Sequence, residues 1–119
     1  MLIEQSLASL ELLAELSIVG TEKATLEGEE ARGEFSFHRV EVENRNLSRV
    51  AALAVRDLLP TWYFHLVRDG VMHVFFKDRF FEAHRDDSKS FSEIRAYAIA
   101  VGIHADQLPL ETLMIDPFA

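Results

Sequence analysis

Three of the five histidines, His65, His73 and His84, fall within one aromatic stretch, Thr61 to Arg85, where imidazoles on neighbouring strands could do metal or acid–base chemistry. The segment TWYFHLVRDGVMHVFFKDRFFEAHR reads as a three-stranded antiparallel meander, and the register of its two turns decides which side chains share a face. A three-residue loop over Arg68-Asp69-Gly70, with Gly70 in the left-handed position of a bulge, sets His65 opposite His73 and gathers Trp62, Phe64, Leu66, Met72, Val74 and Phe76 on an apolar face. The alternative, a two-residue type I′ loop on Asp69-Gly70, sets His65 opposite Val74 and mixes polar and apolar groups on both faces. The first register separates the two kinds of side chain and is preferred here. With Phe76 opposite Phe81 at the second turn, His65, His73 and His84 form a row across three strands. Directly opposed Cβ atoms lie roughly 5 Å apart, so the row has the spacing for one divalent ion, with Glu82 or Tyr63 beside it as base or outer partner. The same residues are also what a half-polar sheet face shows to water or to a partner subunit. The sequence requires no cofactor.

Other charged groups offer less. Arg68, Lys77, Arg79 and Arg85 could gather around a small anion, although three of them lie at hairpin turns, where solvated charge is usual. Asp86-Asp87 precedes a helix whose dipole it complements, and Glu29-Glu30 belongs to a charged loop. His38 and His104 have no partner visible in the sequence. There is no Gly-rich phosphate loop, nucleophile elbow or H-E-x-x-H. The chain has no cysteine, which excludes disulfides, thiolate nucleophiles and Cys-ligated metals.

The elements that must position these residues follow from periodicity. Leu2, Ile3, Leu7, Leu10, Leu13 and Leu16 recur at helical intervals and predict a helix over 2–18. Residues 34–43 alternate as a strand, with a bulge near His38 and Arg39 bringing Phe35, Phe37, Val40 and Val42 to one face. A second helix runs over 47–59 to Pro60. A third covers 91–101, opened by a Ser90–Glu93 capping box and closed at Gly102. Leu110 to Ile115 reads as a short edge strand. The expected fold is a single α+β domain over 1–119, an antiparallel sheet with helices on one face, close to the ferredoxin-like order with an N-terminal helix added.

At 119 residues and 49% hydrophobic content the chain is long enough for a real core. The formal net charge of −8 disfavours nucleic acid and anionic membrane surfaces, and only the stretch 51–85 is not acidic. The N-terminal stretch lacks a basic region, and the longest uncharged runs fall short of the roughly 20 residues that span a bilayer. A cytoplasmic protein is expected. Aromatics on both faces of a small sheet leave a patch that predicts a homodimer.

The segments Asp57-Leu58-Leu59-Pro60-Thr61-Trp62-Tyr63-Phe64-His65-Leu66, Val74 to Phe80, Gly102-Ile103 and Gln107-Leu108, with Tyr97 in register, resemble a group of small bacterial proteins that share a D-L-L-P-x-W-Y-x-H-L strand and an aromatic hairpin. The likeness spans Asp57 to Leu108. It implies a bacterial source and one compact domain, and brings no activity with it. Two functions follow from the residues: a non-enzymatic interaction or small-ligand-binding module acting as a homodimer, or a metal-assisted or acid–base enzyme using the histidine row.

Overall fold

A computed structural model describes residues 1–25 and 33–118, so Glu29-Glu30 lies outside the described residues. Among the described residues, two three-stranded antiparallel sheets and three α-helices make a mixed α+β fold. The first sheet has β1 (Leu2–Ile3), β2 (Ser17–Thr25) and β3 (Glu34–Glu41), in the order β1-β3-β2. The second is the meander of β4 (Phe64–Arg68), β5 (Val71–Phe76) and β6 (Arg79–His84). Helix α1 (Leu47–Asp57) links the sheets, while α2 (Ser88–Ala100) and α3 (Leu110–Ile115) follow the meander. A ferredoxin-like sheet would hydrogen-bond β3 into the meander; here β3 pairs with β1 and β2.

The stretch expected as a helix over 2–18 is strand β1, two 3₁₀ turns (Glu4–Ser6 and Leu10–Glu15) and the start of β2. Side-chain competition for the backbone explains part of this. Ser6 Oγ donates to the Ile3 carbonyl at 2.5 Å, and Ser9 accepts from the Glu11 N–H at 3.3 Å, contacts that favour turns over helix. Tertiary bonds take the rest: Ala8 N–H donates to the Asp57 carbonyl at 2.7 Å, and Leu59 N–H to the Ser6 carbonyl at 2.8 Å. The buried leucines are Leu2, Leu7 and Leu12, five residues apart, whereas Leu10 is exposed.

Strand β3 follows its expected range, but its four apolar residues do not share a face. Among the described residues of β2 and β3 the register shifts once, between Ile18 and Gly20 of β2, opposite Val40 and Arg39, so the extra residue is Val19. Phe35 therefore lies on the opposite face from His38 and Val40, 5.4 Å from the Trp62 ring.

Both meander turns are two-residue loops. The pairs are Phe64 with Phe75, His65 with Val74, Leu66 with His73, Phe76 with Arg79, Val74 with Phe81 and His73 with Glu82. Asp69 and Gly70 have φ of 51° and 78°, as a type I′ turn requires. Mixed faces are tolerated because both faces are covered. Phe64 and Phe75 pack with Leu2, Leu7, Leu12, Val40, Val50, Leu53 and Leu58 on one side. Met72, Val74, Phe76 and Ala83 pack with Phe91, Ile94, Ala98, Leu110 and Leu113 on the other. The meander is thus a shared middle layer, and its aromatics are largely inside: only Phe80 is half-exposed.

Helix α2 starts earlier than the Ser90 capping box predicts. Asp87 is the N-cap and accepts from the Lys89 N–H at 3.2 Å, while Ser90 Oγ donates to the Asp87 carbonyl at 2.6 Å. Its C-terminus is a Schellman motif: Ile103 N–H reaches the Ala98 carbonyl at 2.9 Å, Gly102 N–H the Ile99 carbonyl at 3.1 Å, and Gly102 has φ 93°. The segment expected as an edge strand, Leu110 to Ile115, is α3, which buries Leu110, Leu113 and Met114. No helix among the described residues is long and apolar enough to cross a membrane.

Candidate functional site

The observed registers take the histidine row apart. His65 faces the α2–α3 side of the meander, and His73 and His84 face the other. His65 is buried, with Nε2 bonded to the Pro117 carbonyl at 3.0 Å; burial, assisted by the Met1 amine, pushes its pKa down to about 4 despite that bond. It is neutral at neutral pH, a core histidine with a satisfied ring nitrogen. Tyr63 shares its face and donates to the Gln107 carbonyl at 2.5 Å, and burial pushes its phenol up to about 12. His73, Glu82 and His84 share the opposite face, where His73 lies across from Glu82 and stacks on Phe75 with centroids 6.3 Å apart. The closest approach of His84 Nε2 to Glu82 Oε1 is 4.0 Å. Among the described residues no three His, Asp or Glu side chains gather as a metal site.

The four basic residues proposed around an anion separate into two pairs. Arg68 and Arg85 flank the first turn, and Lys77 and Arg79 the second, at opposite ends of six-residue β5, roughly 17 Å apart. Asp87 caps α2, as a dipole complement does.

What the chain does assemble is a groove of about 170 Å³ lined by Pro60, Thr61, Trp62, Phe76, Lys77, Tyr97 and Val101. Its wall is a turn in which Trp62 N–H donates to the Leu59 carbonyl at 3.3 Å, with Pro60 and Thr61 at the two central positions. Thr61 has φ 71°. This matches a type II turn, whose third position ordinarily takes glycine; a β-branched residue there is strained by roughly 1–3 kcal/mol. Phe76 lines it, with Tyr97 edge-on to it at 5.1 Å, and the Arg79 guanidinium lies over the Phe81 and Tyr97 rings at 4.5 and 5.1 Å. The Lys77 ammonium, on the rim, donates to the Arg56 carbonyl at the end of α1, and the neighbouring Asp78 N–H reaches the Val55 carbonyl at 2.8 Å. Those bonds satisfy carbonyls that the helix terminus leaves open and hold the hairpin tip in place. The Leu-Pro-Thr-Trp turn signal was present in the sequence; the partners that close the groove come from 16 and 36 residues further on.

A second polar arrangement involves His38, which lacked a visible partner in the sequence. Its ring is buried, Nδ1 lies 2.8 Å from Thr21 Oγ1, and Nε2 lies 3.3 Å from Glu4 Oε1. The partners are 17 and 34 residues away, and sheet pairing of β1, β3 and β2 brings them together. Comparison with known proteins returned nothing: no family model, no curated protein and no solved structure matches this chain.

Proposed function

We propose that this chain is a cytoplasmic homodimer whose groove beside Thr61 is a non-enzymatic binding site for a small planar anion of the aromatic carboxylate class. The observation that carries the ligand class is the groove beside Thr61: apolar rings from Trp62, Phe76 and Tyr97, one cation at its rim, and a strained backbone holding the wall. On a molecule of net charge −8, an anion needs cations close by, and beside the groove these are Lys77, 3.8 Å from the Asp78 carboxylate, and Arg79, which lies over the Tyr97 ring. Trp62 is the only tryptophan and reports on its own groove. Titration with benzoate should change its emission saturably, and the change should vanish in Lys77→Met and Tyr97→Ala variants that keep the wild-type far-UV spectrum. No saturable change, or one indifferent to both substitutions, rejects the groove.

Self-association needs a different surface from the one expected, because the meander aromatics are inside. Strand β2 supports it. It is an edge strand with a second edge unpaired among the described residues, and Ile18 and Val19 are exposed on it. Antiparallel pairing of two copies about an axis between Glu22 and Lys23 sets each glutamate opposite the lysine of the second copy. Sedimentation should show a dimer that E22K weakens and the double swap E22K/K23E restores; a monomeric wild type, or no restoration, removes the homodimer.

A further inference from the structure

Glu4, His38 and Thr21 form a line across the first sheet that shares no residue with the groove. An ionised carboxylate only accepts hydrogen bonds, so Glu4 places the imidazole hydrogen on Nε2. Nδ1 of the neutral ring then presents its lone pair, and the Thr21 hydroxyl 2.8 Å away donates to it. This is the geometry of an activated alcohol: nucleophile on base, base on an orienting carboxylate. His38 is buried and fixed in β3, whereas the Thr21 side chain is exposed on the face of β2, away from the backbone edge that a second copy would pair with.

We propose that Thr21 is the nucleophile, and His38 the general base, of an acyl-transfer site for small, activated acyl donors such as aryl esters and thioesters. Thr21 Oγ1 attacks the acyl carbon while its proton passes to His38 Nδ1. The bond from that carbon to the leaving oxygen or sulfur then breaks, and the leaving group takes the proton from Nδ1. The product is a Thr21 ester. Water reverses the path: His38 takes a water proton, the hydroxyl adds to the acyl carbon, and the Thr21 Oγ1 bond breaks and recovers the proton, releasing the acid. No redox partner enters. Glu4 acts as a positioning residue, holding the tautomer and balancing the imidazolium that forms in each half. A site on an open sheet face, rather than in a cleft, restricts the chemistry to donors with good leaving groups. Lys23, two residues on and on the same face of β2, adds positive charge to the approach.

The probe is p-nitrophenyl acetate with the full chain, followed by nitrophenolate release and by peptide mapping of the acetyl group after acid quench. We expect acetyl on Thr21; loss of both signals in T21A; retention of both in T21S; and a fall of about a hundredfold or more in H38Q. E4Q should lower kcat while leaving KM unchanged, which a merely structural role would not do. If H38Q fails to fold, T21A and E4Q decide. Release at the wild-type rate in T21A, acetylation confined to amines, or no acetylation at all overturns the proposal.

Discussion

His65 makes stability depend on pH through its burial. Its pKa falls from an ordinary 6.5 to about 4 in the fold, so the unfolded chain binds the extra proton between those values. The stabilisation is complete above pH 6.5 and is lost as pH falls towards 4, a loss on the order of 3 kcal/mol at about 1.4 kcal/mol per pH unit. Burial of the Met1 amine, pushed down to about 5, acts in the same direction at higher pH. We predict that His65→Gln, though less stable overall, flattens the slope of unfolding free energy against pH between 6.5 and 4, measured by urea titration. An unchanged slope would place the pH dependence elsewhere. At Thr61, relief of the left-handed strain should outweigh the entropy added to the unfolded chain, so Thr61→Gly raises stability by about 1 kcal/mol. If benzoate binding weakens in the same variant, the strain is holding the groove wall in shape.

Among the elements, the meander turns and the start of α2 carry the clearest tests. The Asp69-Gly70 turn needs positive φ at both positions, so Gly70→Ala should cost about 1–2 kcal/mol in chemical denaturation, whereas a three-residue loop would need glycine there for a different register. At α2, Asp87→Ala should cost about 1 kcal/mol because it removes the cap to Lys89 N–H. Glu93→Gln should change stability by less than about 0.5 kcal/mol, since its carboxylate is exposed, approaches Lys89 no closer than 4.0 Å, and does not cap the helix. Equal effects at the two positions would restore the capping box centred on Ser90. These elements also show where local signals suffice. Helix α1 has a clean apolar stripe and a proline after it, and both are honoured within two residues. The Gly102 terminus is honoured in full.

At the scale of the molecule, one sheet serves two cores. Phe75 and Phe76 are neighbours in sequence, yet each belongs to a different apolar cluster on opposite faces of β5. Neither cluster can lose its packing without exposing the layer the other rests on, so unfolding should be a single transition, with Trp62 emission and far-UV circular dichroism coinciding in urea. Two separated transitions would show the clusters to be independent. The same arrangement explains the failure of the histidine row. A sheet with one wet face rewards the register that sorts polar from apolar; a sheet covered on both faces removes that reward, and turn geometry then chooses the pairing. By itself the sequence determined the α+β class, the positions of the meander, β3, α1 and α2, and the glycine stop at residue 102, because periodicity, turn residues and caps act over a few neighbouring residues. Only the tertiary structure decided that residues 2–18 are strand and turns, that Leu110 to Ile115 is helical, and that His65 parts from His73 and His84. It alone brought Lys77 and Tyr97 to Thr61, and Glu4 and Thr21 to His38. Each of those outcomes rests on contacts between residues far apart in the chain, whose energies no local pattern records.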